Sequence, residues 1–218
     1  MVWEELEQNA GEETRLSVTY LTFSVTYLTF MAVAMLIASI GVLLDQPILI
    51  VGAMVVGPEF GPLVALCVSI VARRPRQARA ALGALVLGFL LGMAATVLFT
   101  WVLTALGLVH ESMLIAERPM TSFIWQPDAL SWIVGFLAGV AGVLALTSAK
   151  SGALVVVLIS VTTVPAAANA AVAVAYWVPS EAVGSSIQLL INLTSIILAG
   201  VLTLIVQRAR QNRLARVI

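Results

Sequence analysis

Apolar residues fill six long blocks of the chain, at 16–44, 48–71, 80–109, 129–147, 153–175 and 184–206, with polar punctuation of 3 to 19 residues between them. A helix needs about 20 mostly apolar residues to cross a hydrocarbon core roughly 30 Å thick, and each block meets or nears that length. The pattern predicts an all-α integral membrane protein with six transmembrane helices over 16–206. A short cytoplasmic segment at 1–15 and a basic cytoplasmic tail at 207–218 flank them.

The six blocks divide into three and three, and in each half the middle one is interrupted. In the first half the interruption is VVGPEFGP, with Pro58 and Pro62; in the second it is SVTTVPAAA, with Pro165. Both follow a Gly-Ala-Met/Leu-Val-Val stretch, at 52–56 and 152–156. An odd number of spans per half inverts the second half relative to the first. Paired broken spans are the sequence pointer to inverted-repeat transporters, whose site lies at the midplane. Two inverted three-helix repeats are therefore expected, each with its middle helix broken at proline.

The first block also holds an unchanged tandem repeat, Ser17–Phe23 followed by Ser24–Phe30. Seven residues advance a helix by about 10 Å at about 1.5 Å each and turn it by only about −20°. The repeat therefore lengthens the first helix while nearly keeping its face. An overlong span absorbed by tilt and a short heptad contact are both compatible with it.

Composition agrees with the pattern: 61% of residues are apolar and 10% charged, with no net formal charge. The charges are sorted. With the N-terminus in the cytoplasm, Arg15, Arg73, Arg74, Arg76, Arg79, Lys150, Arg208, Arg210, Arg213 and Arg216 all lie inside, ten of the eleven Lys and Arg. Only Arg118 lies outside, in the longest connection. Cytoplasmic loops collect Lys and Arg, so both termini are placed inside, in the plasma (inner) membrane of a cell. The acidic start lacks the basic-then-apolar form of a signal peptide. One cysteine, Cys67, and one histidine, His110, leave no metal or haem cluster. No cofactor, no metal and no nucleic-acid partner are expected.

Glu59 is the candidate for chemistry. A carboxylate at membrane depth is costly unless it is paired, wet or capping a helix, and no basic residue lies in the apolar cores. It either caps a half-helix whose first turn offers unpaired N–H groups, or responds to a proton or cation. The expected pathway residues are Glu59, Gly57, Pro58, Gly61 and Pro62 at the first break, and Thr162, Thr163, Pro165 and Asn169 at the second. Backbone carbonyls near Gly57 and Val164 would contribute. Asp45, before Pro47, forms either an ordinary turn or an outer mouth. Asn169 and Asn192 are read as interhelical hydrogen-bonding amides. Gly88-x-x-x-Gly92 and Gly135-x-x-x-Gly139 are read as close-contact faces, within one chain or between subunits.

The stretch ASIGVLLDQPILIVGAMVVGPEFGPL carries Ala38, Ser39 and Gly41, then Asp45 and Pro47, then Gly52-Ala53-Met54, then Pro58, Gly61 and Pro62. It resembles the prokaryotic membrane family catalogued as domain of unknown function 389, as do SVTTVPAAANAAVAVA and INLTSIILAG further on. The resemblance implies the membrane fold and location and supplies no activity. Some relatives carry a soluble domain ahead of the membrane part, and many have an apolar residue where Glu59 stands.

The function expected is a channel or secondary transporter for a small ion or solute, with the two breaks meeting near the midplane. The alternative is a non-transporting scaffold or regulatory partner in the bilayer. The spans hold no His-Glu-x-x-His, no paired aspartates and no serine with a histidine partner, so an enzyme is not expected. Homo-oligomerisation is.

Overall fold

The computed structural model describes residues 25–147 and 162–214. Among them the protein is all helix. In chain order the helices are α1 (Val25–Leu43), α2 (Pro47–Val56), α3 (Phe60–Val71), α4 (Pro75–Ala105), a short α5 (Glu111–Ile115), α6 (Ala129–Thr147), α7 (Thr163–Ala175) and α8 (Pro179–Leu214). A 3-10 turn at Ser122–Ile124 precedes α6. Proline opens α2, α4 and α8. At the first helical position its missing N–H would have been unpaired anyway and its fixed φ suits the helix.

Among the described residues three helices, α1, α4 and α8, are long and apolar enough to cross a membrane; α2 and α3, bent by 53° at their break, have that length and composition only when taken together, as a broken span or a re-entrant loop. Two shorter apolar helices, α6 and α7, accompany them. Large apolar side chains remain exposed along α4 and α6, among them Leu90, Leu98, Trp101, Leu130, Ile133 and Leu137. That surface suits lipid rather than water. The protein is a membrane protein.

Helix limits differ from the apolar blocks mainly where arginine lies. α4 starts at Pro75 instead of 80 and takes in Arg76 and Arg79; α8 extends from Pro179 to Leu214, beyond both edges of the 184–206 block. The hydrophobic pattern marks what lipid accepts, whereas the backbone hydrogen-bond ladder continues through polar residues of good helix propensity. At its far end α4 stops at Ala105, where Gly107 adopts φ +70°, a turn conformation that glycine takes freely. The tandem repeat lies outside the described residues except for Val25–Phe30, as does the 153–161 part of the fifth block.

α7 is the centre of the bundle. It packs against α1, α2, α4 and α8, and every residue in it except Val174 is buried. Its alanines bring neighbouring backbones close, the usual basis of helix association in a membrane. The glycine pairs act the same way, within the chain. An added Cβ at Gly88 would stand 2.6 Å from the Tyr27 hydroxyl, and one at Gly92 would collide with Met35 Sδ. On α6, a Cβ at Gly135 would strike Ser195 Oγ and one at Gly139 would come within 2.7 Å of the Ile196 carbonyl. Cys67 is buried, and its thiol lies 3.7 Å from the Ile197 carbonyl.

The connections gather at two ends. At one, Trp101 Nε1 donates to the Ala175 carbonyl at 3.1 Å, and Thr104 and Tyr176 share a 2.7 Å hydrogen bond. At the other, Arg208 donates to the Val71 carbonyl at 3.0 Å, beside exposed Arg73, Arg74 and Arg76.

Candidate functional site

The α2–α3 break follows from its two prolines. A continuous helix would pair residue 58 with the Met54 carbonyl and residue 62 with the carbonyl at 58, and proline supplies neither N–H. α2 therefore ends at Val56, and α3 starts at Phe60 with Glu59 in the N-cap position. The Glu59 side chain does not cap that helix. Instead it turns inward, only 3% exposed, and its Oε1 accepts a 2.8 Å hydrogen bond from Thr163 Oγ1. Its Oε2 has no hydrogen-bond partner.

Thr163 opens α7, so the α2–α3 break meets the start of the Pro165-containing helix at this bond; the rest of the expected second break, before residue 162, lies outside the described residues. Gly57 permits the meeting. A Cβ there would collide with Glu59 Oε2 and stand 2.9 Å from Val164 Cγ2. Pro165 lies buried in the first turn of α7, where proline is tolerated. Pro62 is buried, Pro58 half-buried and Gly61 exposed.

The other candidates fall on two further polar groups. Thr162 Oγ1 accepts from Asn192 Nδ2 at 3.0 Å, and Asn192 Oδ1 lies 3.5 Å from Gln188 Nε2. Gln188 Oε1 is buried without a partner. Asn169, placed by sequence with Glu59, is instead wrapped by charge. Its Oδ1 accepts from Arg118 Nη1 at 3.2 Å, and its Nδ2 donates to Ser185 Oγ at 2.6 Å and Glu181 Oε2 at 3.3 Å. Arg118 Nη2 pairs with Glu181 Oε2 at 2.5 Å, both residues 6% exposed.

Arg118 is the basic residue that charge sorting left outside. The structure folds it into the bundle. Asp45, half-buried with φ +50°, holds the same loop: its Oδ1 accepts from Thr121 Oγ1 at 2.7 Å and its Oδ2 from the Met120 N–H at 3.3 Å.

Residues 54–198, about two-thirds of the chain, match the family described as Domain of unknown function (DUF389). The chain belongs to the DUF389 family. The α2–α3 break, the Pro165 turn of α7 and the whole Arg118 cluster of this DUF389 protein fall inside the matched region. No match exists among curated proteins or among solved structures.

Glu181, Ser185 and Gln188 were not singled out from sequence. Their signal was available: with Asn192 and Ser195 they recur at steps of four, three, four and three, one face of a helix. Glu181 escaped because it precedes the apolar block at 184–206.

Proposed function

We propose that this DUF389 protein is a channel or secondary transporter for a small ion or solute, with its site where the two helix breaks meet. It acts without catalysing a covalent reaction. Glu59 is the group that takes up and gives back a proton or cation; Thr163 holds one carboxylate oxygen and leaves the other free. Backbone carbonyls near Gly57 and Val164 complete the lining. The observation that carries this reading is Glu59 Oε2, a buried carboxylate oxygen with no partner. Such an atom in a low-dielectric interior is strongly destabilising unless something positive visits it.

The same proposal places six spans as two inverted three-helix repeats in the plasma membrane of a cell, with both termini cytoplasmic. The arginines at one end of the bundle, Arg73, Arg74, Arg76, Arg79 and Arg208, support that orientation. Assembly with further copies, through the apolar faces left exposed, belongs to the same proposal.

A second reading, a non-transporting scaffold, is favoured by one observation: α7 is buried on nearly every side. Flux decides between them. Purified protein in liposomes is assayed for uptake of sodium, potassium and protons against protein-free vesicles. Protein-dependent flux supports transport, and its absence across the ions and small neutral solutes favours the scaffold.

A further inference from the structure

The polar side chains of α8 form a stripe. Glu181, Ser185, Gln188, Asn192 and Ser195 lie within roughly an 80° arc at 3.6 residues per turn and extend for about 21 Å at 1.5 Å per residue. All five are buried, while Val183, Ile187, Leu190 and Leu198 on the remaining surface of the helix are exposed. Five buried polar positions in register are uncommon in a membrane helix, because each needs a partner that lipid does not supply.

The stripe reaches the break junction. Asn192 bonds Thr162, whose neighbour Thr163 bonds Glu59. Two acceptor atoms along it, Gln188 Oε1 and Glu59 Oε2, are buried and unpartnered. Unfilled acceptors at both positions suit water molecules or a cation in transit. Toward the other end, the 106–128 connection covers the stripe. Arg118 reaches in to Glu181 and Asn169, and the Trp125 carbonyl presses on α8 so closely that a Cβ at Gly184 would collide with it. Asp45 anchors the middle of that loop through Thr121. Arg118 Nε is itself left without a partner, so the guanidinium is held by only part of its donor set.

We propose that the buried α8 stripe from Glu181 to Asn192 is a water-fillable path to the break junction, and that Arg118 is the latch closing it. Opening consists of withdrawing Arg118 from Glu181 and Asn169, which frees the carboxylate and the amide to line the path's mouth. The path deepens the transport reading and rests on it for purpose, yet its wetting is measurable without flux.

The test uses a Cys67→Ser background carrying Ser185→Cys or Gln188→Cys, in nanodiscs that leave both membrane faces reachable. A membrane-impermeant methanethiosulfonate is applied with Arg118 and Glu181 intact and in the double variant R118Q/E181Q. That variant removes both charges together and leaves no unpaired ion. Leu190→Cys, on the exposed face of α8, is the control for general loosening. A closed latch whose open form is populated at roughly 10% or less leaves room for about a tenfold faster labelling at 185 and 188 on its removal.

That acceleration, with position 190 unchanged, is the expected result, and R118K should label as slowly as the parent. Equal rates with and without the ion pair overturn the latch. Failure to label at either position in any background overturns the path. Acceleration at 190 as well shows unfolding in place of a latch and also counts against it. Accelerated labelling in a protein silent in liposomes would keep this inference and remove the transport reading.

Discussion

Thr163 Oγ1 donates to Glu59 Oε1 at 2.8 Å, joining residues 104 positions apart in the chain and tying the α2–α3 break to the start of α7. Thr163→Val keeps the shape and removes the donor, leaving the buried carboxylate without its hydrogen bond. Loss of one partner from a buried polar group costs about 1–3 kcal/mol. Thermal or denaturant unfolding in detergent should show that loss for Thr163→Val. Thr163→Ser, which retains a hydroxyl, should lose less. Against Glu59→Gln the valine effect should be non-additive, as for groups in direct contact.

Gly57 sets how close the first break can approach α7. Gly57→Ala forces either the Glu59 carboxylate or Val164 to move, and overpacking of this kind costs about 1–3 kcal/mol. Gly52 is the internal comparison, because a Cβ added there meets nothing within 4 Å. Gly52→Ala in the middle of α2 should be neutral or stabilising by up to about 1 kcal/mol, the helix-propensity difference. Equal destabilisation at both positions would contradict the close approach at Gly57.

Arg118 and Glu181 should behave as a buried pair. Arg118→Ala strands the carboxylate among Asn169 and Ser185, at a cost of about 3–5 kcal/mol. Replacing both partners by apolar residues of similar volume, as in R118M/E181L, should be far milder. A double-mutant cycle on unfolding midpoints measures the difference. A single substitution no worse than the double one would show that the two charges do not meet in the folded protein.

Outside the bundle, Asp128 starts α6 by accepting from both the N–H and the Oγ of Ser131 at 2.7 Å, the Ncap-to-N3 pattern. These bonds, the hydroxyl first, hold its carboxyl below the usual aspartate value. A carboxyl lowered in the folded state adds stability above its unfolded pKa, and that stability is lost as pH falls through the folded value. The gap in unfolding midpoint between wild type and Asp128→Ala should be constant above about pH 5 and close on further acidification. A gap that widens toward low pH would contradict the cap.

Much of this was legible in the residues for definite reasons. Pro58 and Pro62 remove particular N–H donors, so the break at Gly57–Glu59 follows from covalent structure alone. The glycine pairs announce close packing, although only the fold shows that Tyr27, Met35, Ser195 and Ile196 are what they pack against. The Glu59–Thr163 contact could be expected only from the likeness of the two breaks, since no local rule spans that separation.

The burial of Arg118 against Glu181 and Asn169 was beyond the reach of charge sorting. Charge sorting reads which side of the membrane a basic residue occupies, and it is blind to a loop that folds back into the bundle. Asn169 does bond between helices as its residue type suggested, to Ser185 and Glu181, and those partners could not be named in advance: position along α7 gives depth, and partner identity comes from rotation about the helix axis.

We propose Glu59 as the working group where the α2–α3 break meets α7. The most direct measurement is flux of protons and monovalent cations through liposome-reconstituted protein across a pH series, wild type beside Glu59→Gln. Flux in the wild type that falls or loses its pH dependence in the glutamine variant is the predicted result. Wild-type flux matched by Glu59→Gln at every pH would contradict it.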